Sequence, residues 1–160
     1  MLKKRLIGVI TVLDGLAVQS FSYNKYLPLG DPAVLAKNLD NWGADEIIIQ
    51  LIDRSIKNKG PDFKLLKSIS ELSLSTPLTY GGGISSVDDA VMVIKTGCER
   101  IFVDNMLHTN IDLLKEISLI LGSQDLIASV PVSFIKDELF WYIYKKNIYK
   151  DNFEEMRAIV

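Results

Sequence analysis

Asp53 and Arg54 stand directly after one apolar run of this chain, and Asp104 and Asn105 directly after another. Between the two pairs lies Tyr80-Gly81-Gly82-Gly83-Ile84. A carboxylate at the end of a buried run can exchange a proton or hold a substrate hydroxyl. Consecutive glycines let backbone N–H groups approach an anion, and a helix opening behind them adds partial positive charge. Phosphate is the guest that suits such a turn, although three glycines also make an ordinary tight connection. Two further segments occupy equivalent positions: Thr11 to Asp14 after the first apolar run, and Pro131 to Ser133 after the fifth. Cys98 precedes a strand and reads as a small core residue. His108 falls in a polar stretch after the fourth run, where solvent exposure is expected. Asp53 and Arg54 either pair with each other or meet substrate.

These positions matter because of the elements around them. Leu6 to Leu13 reads as a strand, and Asp31-Pro32 opens a helix with aspartate at the N-cap, running to about Trp42 and stopping at Gly43. Glu46 to Ile52 is a second strand; Phe63, Leu65, Leu66, Ile69 and Leu72 then show helical spacing. Pro77 to Tyr80 and a helix from Val87 to Thr96 form the third unit, and Arg100 to Asp104 with a helix from Asn110 to Leu121 the fourth. A fifth strand is expected over Asp125 to Val132, with the alternating segment Leu139 to Tyr144 as its hairpin partner. The cluster Phe140, Trp141, Tyr142 and Tyr144 is expected to pack on the sheet or cover an exposed edge.

Strands alternating with helices imply parallel pairing through right-handed crossovers, with ligands at the carboxyl ends of the strands. A doubly wound sheet and a (β/α)8 TIM barrel both fit. The first strand runs into Asp14-Gly15 and a long polar stretch, with no G-x-G-x-x-G turn, so the barrel is preferred. A complete barrel takes about 250 residues, whereas this chain has 160. The expectation is one half-barrel domain over 1–160: about four βα units with a fifth strand and hairpin, as a fragment, a truncated chain or a shortened paralogue.

Composition narrows the chemistry. The 18 Lys plus Arg and 20 Asp plus Glu give a formal charge of −2, and no basic run exceeds Lys3-Lys4-Arg5. Such a chain has no electrostatic footprint for nucleic acid or an anionic membrane. One Cys and one His allow neither an internal disulfide nor a Cys/His metal centre, so no metal or cofactor is expected. The basic start and apolar run lack a cleavage pattern and no window is long enough to span a bilayer, which predicts a cytoplasmic protein.

The collinear segments Lys3-Lys4-Arg5-Leu6-Ile7, Gly30-Asp31-Pro32, Gly43-Ala44-Asp45-Glu46, Gly81-Gly82-Gly83-Ile84 and Gly122-Ser123-Gln124 resemble the cyclase (synthase) subunit of imidazole glycerol phosphate synthase, an enzyme family of histidine biosynthesis. The resemblance implies a (β/α)8 barrel that takes ammonia from a glutaminase subunit and acts as a lyase-type synthase on a phosphorylated substrate. It implies phosphate contacts at Gly81, Gly82, Gly83 and Asn105. It also implies a charged ring gating ammonia entry at Arg5, Glu46 and Arg100, with Glu99 where an acidic residue meets the glutaminase. Read without the family, each of these charges is a solvated side chain flanking a strand.

The departures lie on the substrate face. The two catalytic aspartates implied by the family fall on Thr11 and Pro131, neither of which exchanges a proton near neutrality. The usual lysine after the first strand is Gln19, and the usual aspartate of the second is Leu51. Asp104 stands where the family has asparagine, and its charge would repel a nearby phosphate. Asp53 and Asp104 are the remaining carboxylate candidates. An entrance kept beside an altered substrate face resembles the synthase-like subunits that serve amidotransferases acting on nucleotide-activated sugars of surface polysaccharides, a branch that Ala17-Val18-Gln19-Ser20 and the segment from Tyr26 to Pro32 also resemble. The alternative is a non-catalytic, shortened homologue acting in assembly or regulation. Open strand edges predict self-association in either case.

Overall fold

The computed structural model describes residues 4–21, 23–136, 138–143 and 148–150, and the chain divides into two compact units between Phe102 and Val103.

In the first unit β1 (Ile7–Leu13) turns back at once into β2 (Leu16–Phe21), which pairs with β3 (Lys25–Gly30). The polar stretch expected after the first strand is therefore an antiparallel excursion, and that expectation is corrected. Its cause is Asp14-Gly15: both residues take positive φ, 48° and 82°, the geometry of a two-residue hairpin whose twist matches its strands. Val12 then lies opposite Ala17, and Leu13 opposite Leu16. Pro28 sits in β3, the edge strand of the sheet, where its missing N–H is tolerated.

The remaining elements keep the predicted alternation. Helix α1 (Pro32–Asn41) is capped by Asp31, whose carboxylate accepts from the Ala33 N–H, and the chain leaves it through Gly43 at positive φ. Strand β4 (Glu46–Leu51) is followed by α2 (Phe63–Ser70), capped by Asp62. Strand β5 (Leu78–Gly81) leads to α3 (Val87–Lys95), capped by Ser86, and β6 (Arg100–Val103) follows. The strand order is β3-β2-β1-β4-β5-β6, with β1, β4, β5 and β6 mutually parallel. These four strands add to one side in chain order with no reversal, as in a barrel sheet and unlike a doubly wound one.

Ile10 and Val12 of β1, Ile47 and Ile49 of β4, Tyr80 of β5 and Ile101 of β6 are buried, as are Ala36, Leu66, Ile69, Ala90 and Val93 of the helices. Each large aliphatic side chain so buried contributes roughly 1.5–3 kcal/mol relative to exposure. The opposite face of β1 is different: Ile7 and Val9 are exposed.

In the second unit α4 (Met106–Thr109) and α5 (Ile111–Leu121) are separated by Asn110, which caps α5. A 3-10 turn and β7 (Leu126–Ala128) follow. The expected fifth strand over Asp125 to Val132 is thus cut short. Pro131 has no N–H to donate to a ladder, and Val132 already belongs to β8 (Val132–Ile135). Strand β8 pairs with β9 (Glu138–Ile143), and β9 with β10 (Ile148–Lys150), in a separate antiparallel sheet of order β10-β9-β8. The aromatic segment does form a hairpin, with β8 as its partner; Tyr144 lies outside the described residues. Among the described residues no helix is long and apolar enough to cross a membrane.

Candidate functional site

At the amino-terminal ends of the parallel strands, Glu46 is the first residue of β4 and Arg100 the first of β6. Glu46 is 1% exposed. Its Oε2 accepts from Arg5 Nη2 at 3.0 Å and from Arg100 Nη1 at 2.8 Å. Its Oε1 accepts from the Thr79 hydroxyl, itself fully buried. The strand register explains the convergence. Ile7 lies beside Glu46, Ile48 beside Thr79, and Thr79 beside Arg100, so alternation brings the three side chains to one face of the sheet. Arg5 reaches in from ahead of β1 and also donates to the Asp45 carbonyl at 3.2 Å. A buried carboxylate met by two guanidinium groups and a hydroxyl is a compensated charge rather than a stranded one. The side chain of Glu99 is not drawn into this cluster; the residue is exposed and borders a polar cleft with Ser73, Ser75 and Thr76.

At the opposite strand ends, Asp53 follows β4 and is 6% exposed. Lys57 donates to its Oδ2 at 3.0 Å and also to Asp14 in the β1–β2 turn. That contact holds the Asp14 carboxyl below its usual range and pushes the lysine up, so both stay charged at neutrality. Asp53 and Arg54 do not pair with each other, one of the two alternatives read from the sequence. Arg54 instead donates to the Pro61 carbonyl at 3.2 Å and faces the Asp62 carboxylate at 3.2 Å, tying down the loop before α2. Lys57 is absent from the sequence reading, though its spacing of four from Asp53 was the available signal.

The glycine run lies against that loop. A Cβ on Gly82 would stand 2.5 Å from the Leu51 carbonyl oxygen, and one on Gly83 2.3 Å from that of Gly60. A Cβ on Gly81 would stand 2.2 Å from Cδ1 of Phe102. Close packing therefore accounts for all three glycines. The Gly83 N–H donates to the Ser55 hydroxyl at 3.2 Å. Asp88 and Asp89 occupy the first turn of α3, and Asp89 accepts from both the N–H and the hydroxyl of Ser85. Thr11 is half-buried in β1 and Gln19 exposed on β2.

In the second unit Asp104 follows β6. Burial raises its carboxyl to about 7, because an apolar surrounding disfavours the charged form. The buried side chain of His108 corrects the expected exposure: the residue lies in α4 rather than a loop, 6% of its side chain is exposed, and its ring centre lies 3.9 Å from that of Trp141. Asn105 Oδ1 is buried without a hydrogen-bond partner among the described residues. The Pro131 carbonyl accepts from the Tyr142 N–H at 2.9 Å. Cys98 is buried and its thiol is pushed up to about 12, which makes it inert. Among the described residues no group of three or more His, Cys, Asp or Glu is placed to hold a metal ion.

Parallel strands added in chain order, with polar residues gathered at both of their ends, define part of a (β/α)8-barrel protein. Residues 5–156 match the model of the histidine biosynthesis protein family, and the chain belongs to that family. It is 31% identical over 144 residues to the imidazole glycerol phosphate synthase subunit HisF of Pyrococcus furiosus, a match covering 90% of this chain and 56% of that protein. It is 30% identical over 152 residues to the HisF subunit of Methanococcus maripaludis, covering 94% and 56%, and 29% identical to that of Thermococcus gammatolerans, covering 90% and 56%. The chain spans about half the length of these curated relatives.

Proposed function

We propose that this chain is a synthase-like subunit of a glutamine amidotransferase, receiving ammonia from a glutaminase partner and directing it to a phosphorylated or nucleotide-sugar acceptor. The observation that carries this reading is the convergence of Arg5 and Arg100 on Glu46, with Thr79 behind them, at the amino-terminal ends of β1, β4, β5 and β6. A charge cluster held this tightly at one end of a parallel sheet is an entrance that can be opened by moving one arginine. The acceptor belongs at the opposite strand ends, where ligands bind in this architecture. Asp53 is the carboxylate of the first unit that can serve it, with the glycine turn as a phosphate contact; Asp104 and Asn105 are the corresponding candidates of the second unit, each taken by itself. The names of the similar proteins, subunits of imidazole glycerol phosphate synthase, support the reaction class.

The test pairs the chain with a glutaminase and supplies either glutamine or ammonium with a phosphorylated ribonucleotide or a nucleotide sugar. Product is expected from both nitrogen sources. Glu46→Ala is expected to cut the glutamine-driven reaction at least tenfold more than the ammonium-driven one. No product with either acceptor and either nitrogen source would overturn the reading. A stable complex without turnover would instead support the alternative, an assembly or regulatory subunit, the reading to which Thr11 and Pro131 at the family's catalytic positions point.

A further inference from the structure

Lys57 lies at the carboxyl ends of β1 and β4, where its ammonium group donates to Asp53 Oδ2 at 3.0 Å and to Asp14 Oδ1. The two acids differ in exposure. Asp53, in the loop after β4, has 7% of its side chain exposed, whereas Asp14, in the β1–β2 turn, has 64%. One side chain thus ties the loop after β4 to the turn after β1. The other charges of that loop are placed differently: Arg54 faces Asp62, and exposed Lys59 only adds to the positive field at Asp14. The turn is otherwise lightly held. Six residue pairs join β1 to β4, but β1 and β2 meet at two, Val12 with Ala17 and Leu13 with Leu16. Beyond these β2 pairs with β3, and Gln19, Phe21, Leu27 and Leu29 of that arm are exposed. Ala17 and Val18 are its buried foothold, and the strand register shifts between them.

We propose that Lys57 is an electrostatic latch that holds the β1–β2 turn over the carboxyl ends of β1 and β4, and that its release from Asp14 opens those ends to an incoming ligand. The unequal exposure of the two acids sets the order of events. The Asp14 contact faces water and is screened by dissolved ions, whereas the contact with buried Asp53 is screened much less. Release therefore begins at Asp14. The lysine stays with Asp53, and the turn, freed of its tether, moves on the two residue pairs that remain. An ammonium group carries three donors, so the one released from Asp14 is open to an anionic group of the acceptor. That use rests on the function proposed above, whereas the latch itself does not.

Amide hydrogen exchange of the intact chain at one fixed pH tests the latch. Asp14→Asn removes the charge and keeps the turn, because asparagine accepts the positive φ of 48° at this position. Residues 16–18 are expected to exchange about two- to fivefold faster in this variant, the range for a partly exposed ion pair, with α2 and β5 unchanged. Raising sodium chloride from about 50 mM to about 500 mM is expected to speed the same residues in the unmodified protein and to leave the variant unaffected, since only the former has the pair to screen. Unchanged exchange at residues 16–18 would overturn the latch. So would an equal rise across α2 and β5, which is what a pair that merely stabilises the whole fold would give. Should the variant fold poorly, the salt response of the unmodified protein decides alone. No acceptor or glutaminase enters this experiment. Loss of the latch therefore leaves the amidotransferase reading standing, and absence of turnover leaves the latch standing.

Discussion

Asp40, near the end of α1, is bonded through a single carboxylate oxygen to the N–H and hydroxyl groups of both Ser75 and Thr76, at 2.8–3.0 Å. Lys37 donates to its other oxygen at 3.1 Å. These contacts hold the carboxyl well below the ordinary range. A lowered folded value means that the stabilisation is complete above the unfolded value of about 3.9 and is lost as pH falls below it. Asp40→Asn should therefore lower the melting temperature at pH 7, with a gap from wild type that narrows below about pH 3. A constant gap across that range would show that charge plays no part. Gly82 makes a second prediction at this scale. At φ 135° with the Leu51 carbonyl 2.5 Å from any Cβ, Gly82→Ala should cost about 1–3 kcal/mol through backbone strain and crowding. Urea unfolding would read this as a lower midpoint at an unchanged slope.

At the scale of elements, the cluster on Glu46 joins the chain before β1 to β4, β5 and β6. Glu46 has three side-chain partners and is almost wholly buried, whereas 44% of the Arg5 side chain and 30% of the Arg100 side chain are exposed. Removing the acid leaves cationic groups facing a buried hydroxyl and a cavity; removing one arginine leaves the acid still paired. Glu46→Ala should accordingly destabilise by about 3 kcal/mol and Arg5→Ala by about 1 kcal/mol or less. Chemical denaturation of both variants checks the order, and a larger loss for Arg5→Ala would contradict it. Much of this level was legible in advance. Asp31-Pro32, Ser86 and Asn110 act as the helix starts that their side chains suggest. The β1–β2 hairpin was also legible in Asp14-Gly15 flanked by apolar residues, but the polar composition that follows concealed it. The shortening of the fifth strand depends on one missing N–H at Pro131, a local veto on an otherwise plausible run.

For the whole molecule, the exposed side of β1 sets the behaviour in solution. Ile7 is 43% and Val9 55% exposed, on the same face of the sheet as Glu46 and Ile48. Apolar residues on an inner sheet face are ordinarily covered, so association through this face is expected. Sedimentation should show assembly that grows with concentration, and Val9→Lys should suppress it at least tenfold in apparent affinity. A monomer at all concentrations would remove the prediction.

The alternation of β1, β4, β5 and β6 with α1, α2, α3 and α5, their parallel pairing and the cap at Asp31 were legible in the amino-acid sequence, because propensity, apolar period and the demands of N–H groups act over a few neighbouring residues. So was the family, through short collinear segments. Which charges meet was decided only by the tertiary structure. Arg5 finds Glu46 and Arg100, Lys57 bridges Asp53 and Asp14, and His108 is enclosed against Trp141. Each contact depends on strand register or on the path of a turn, and those bring together residues that lie far apart along the chain.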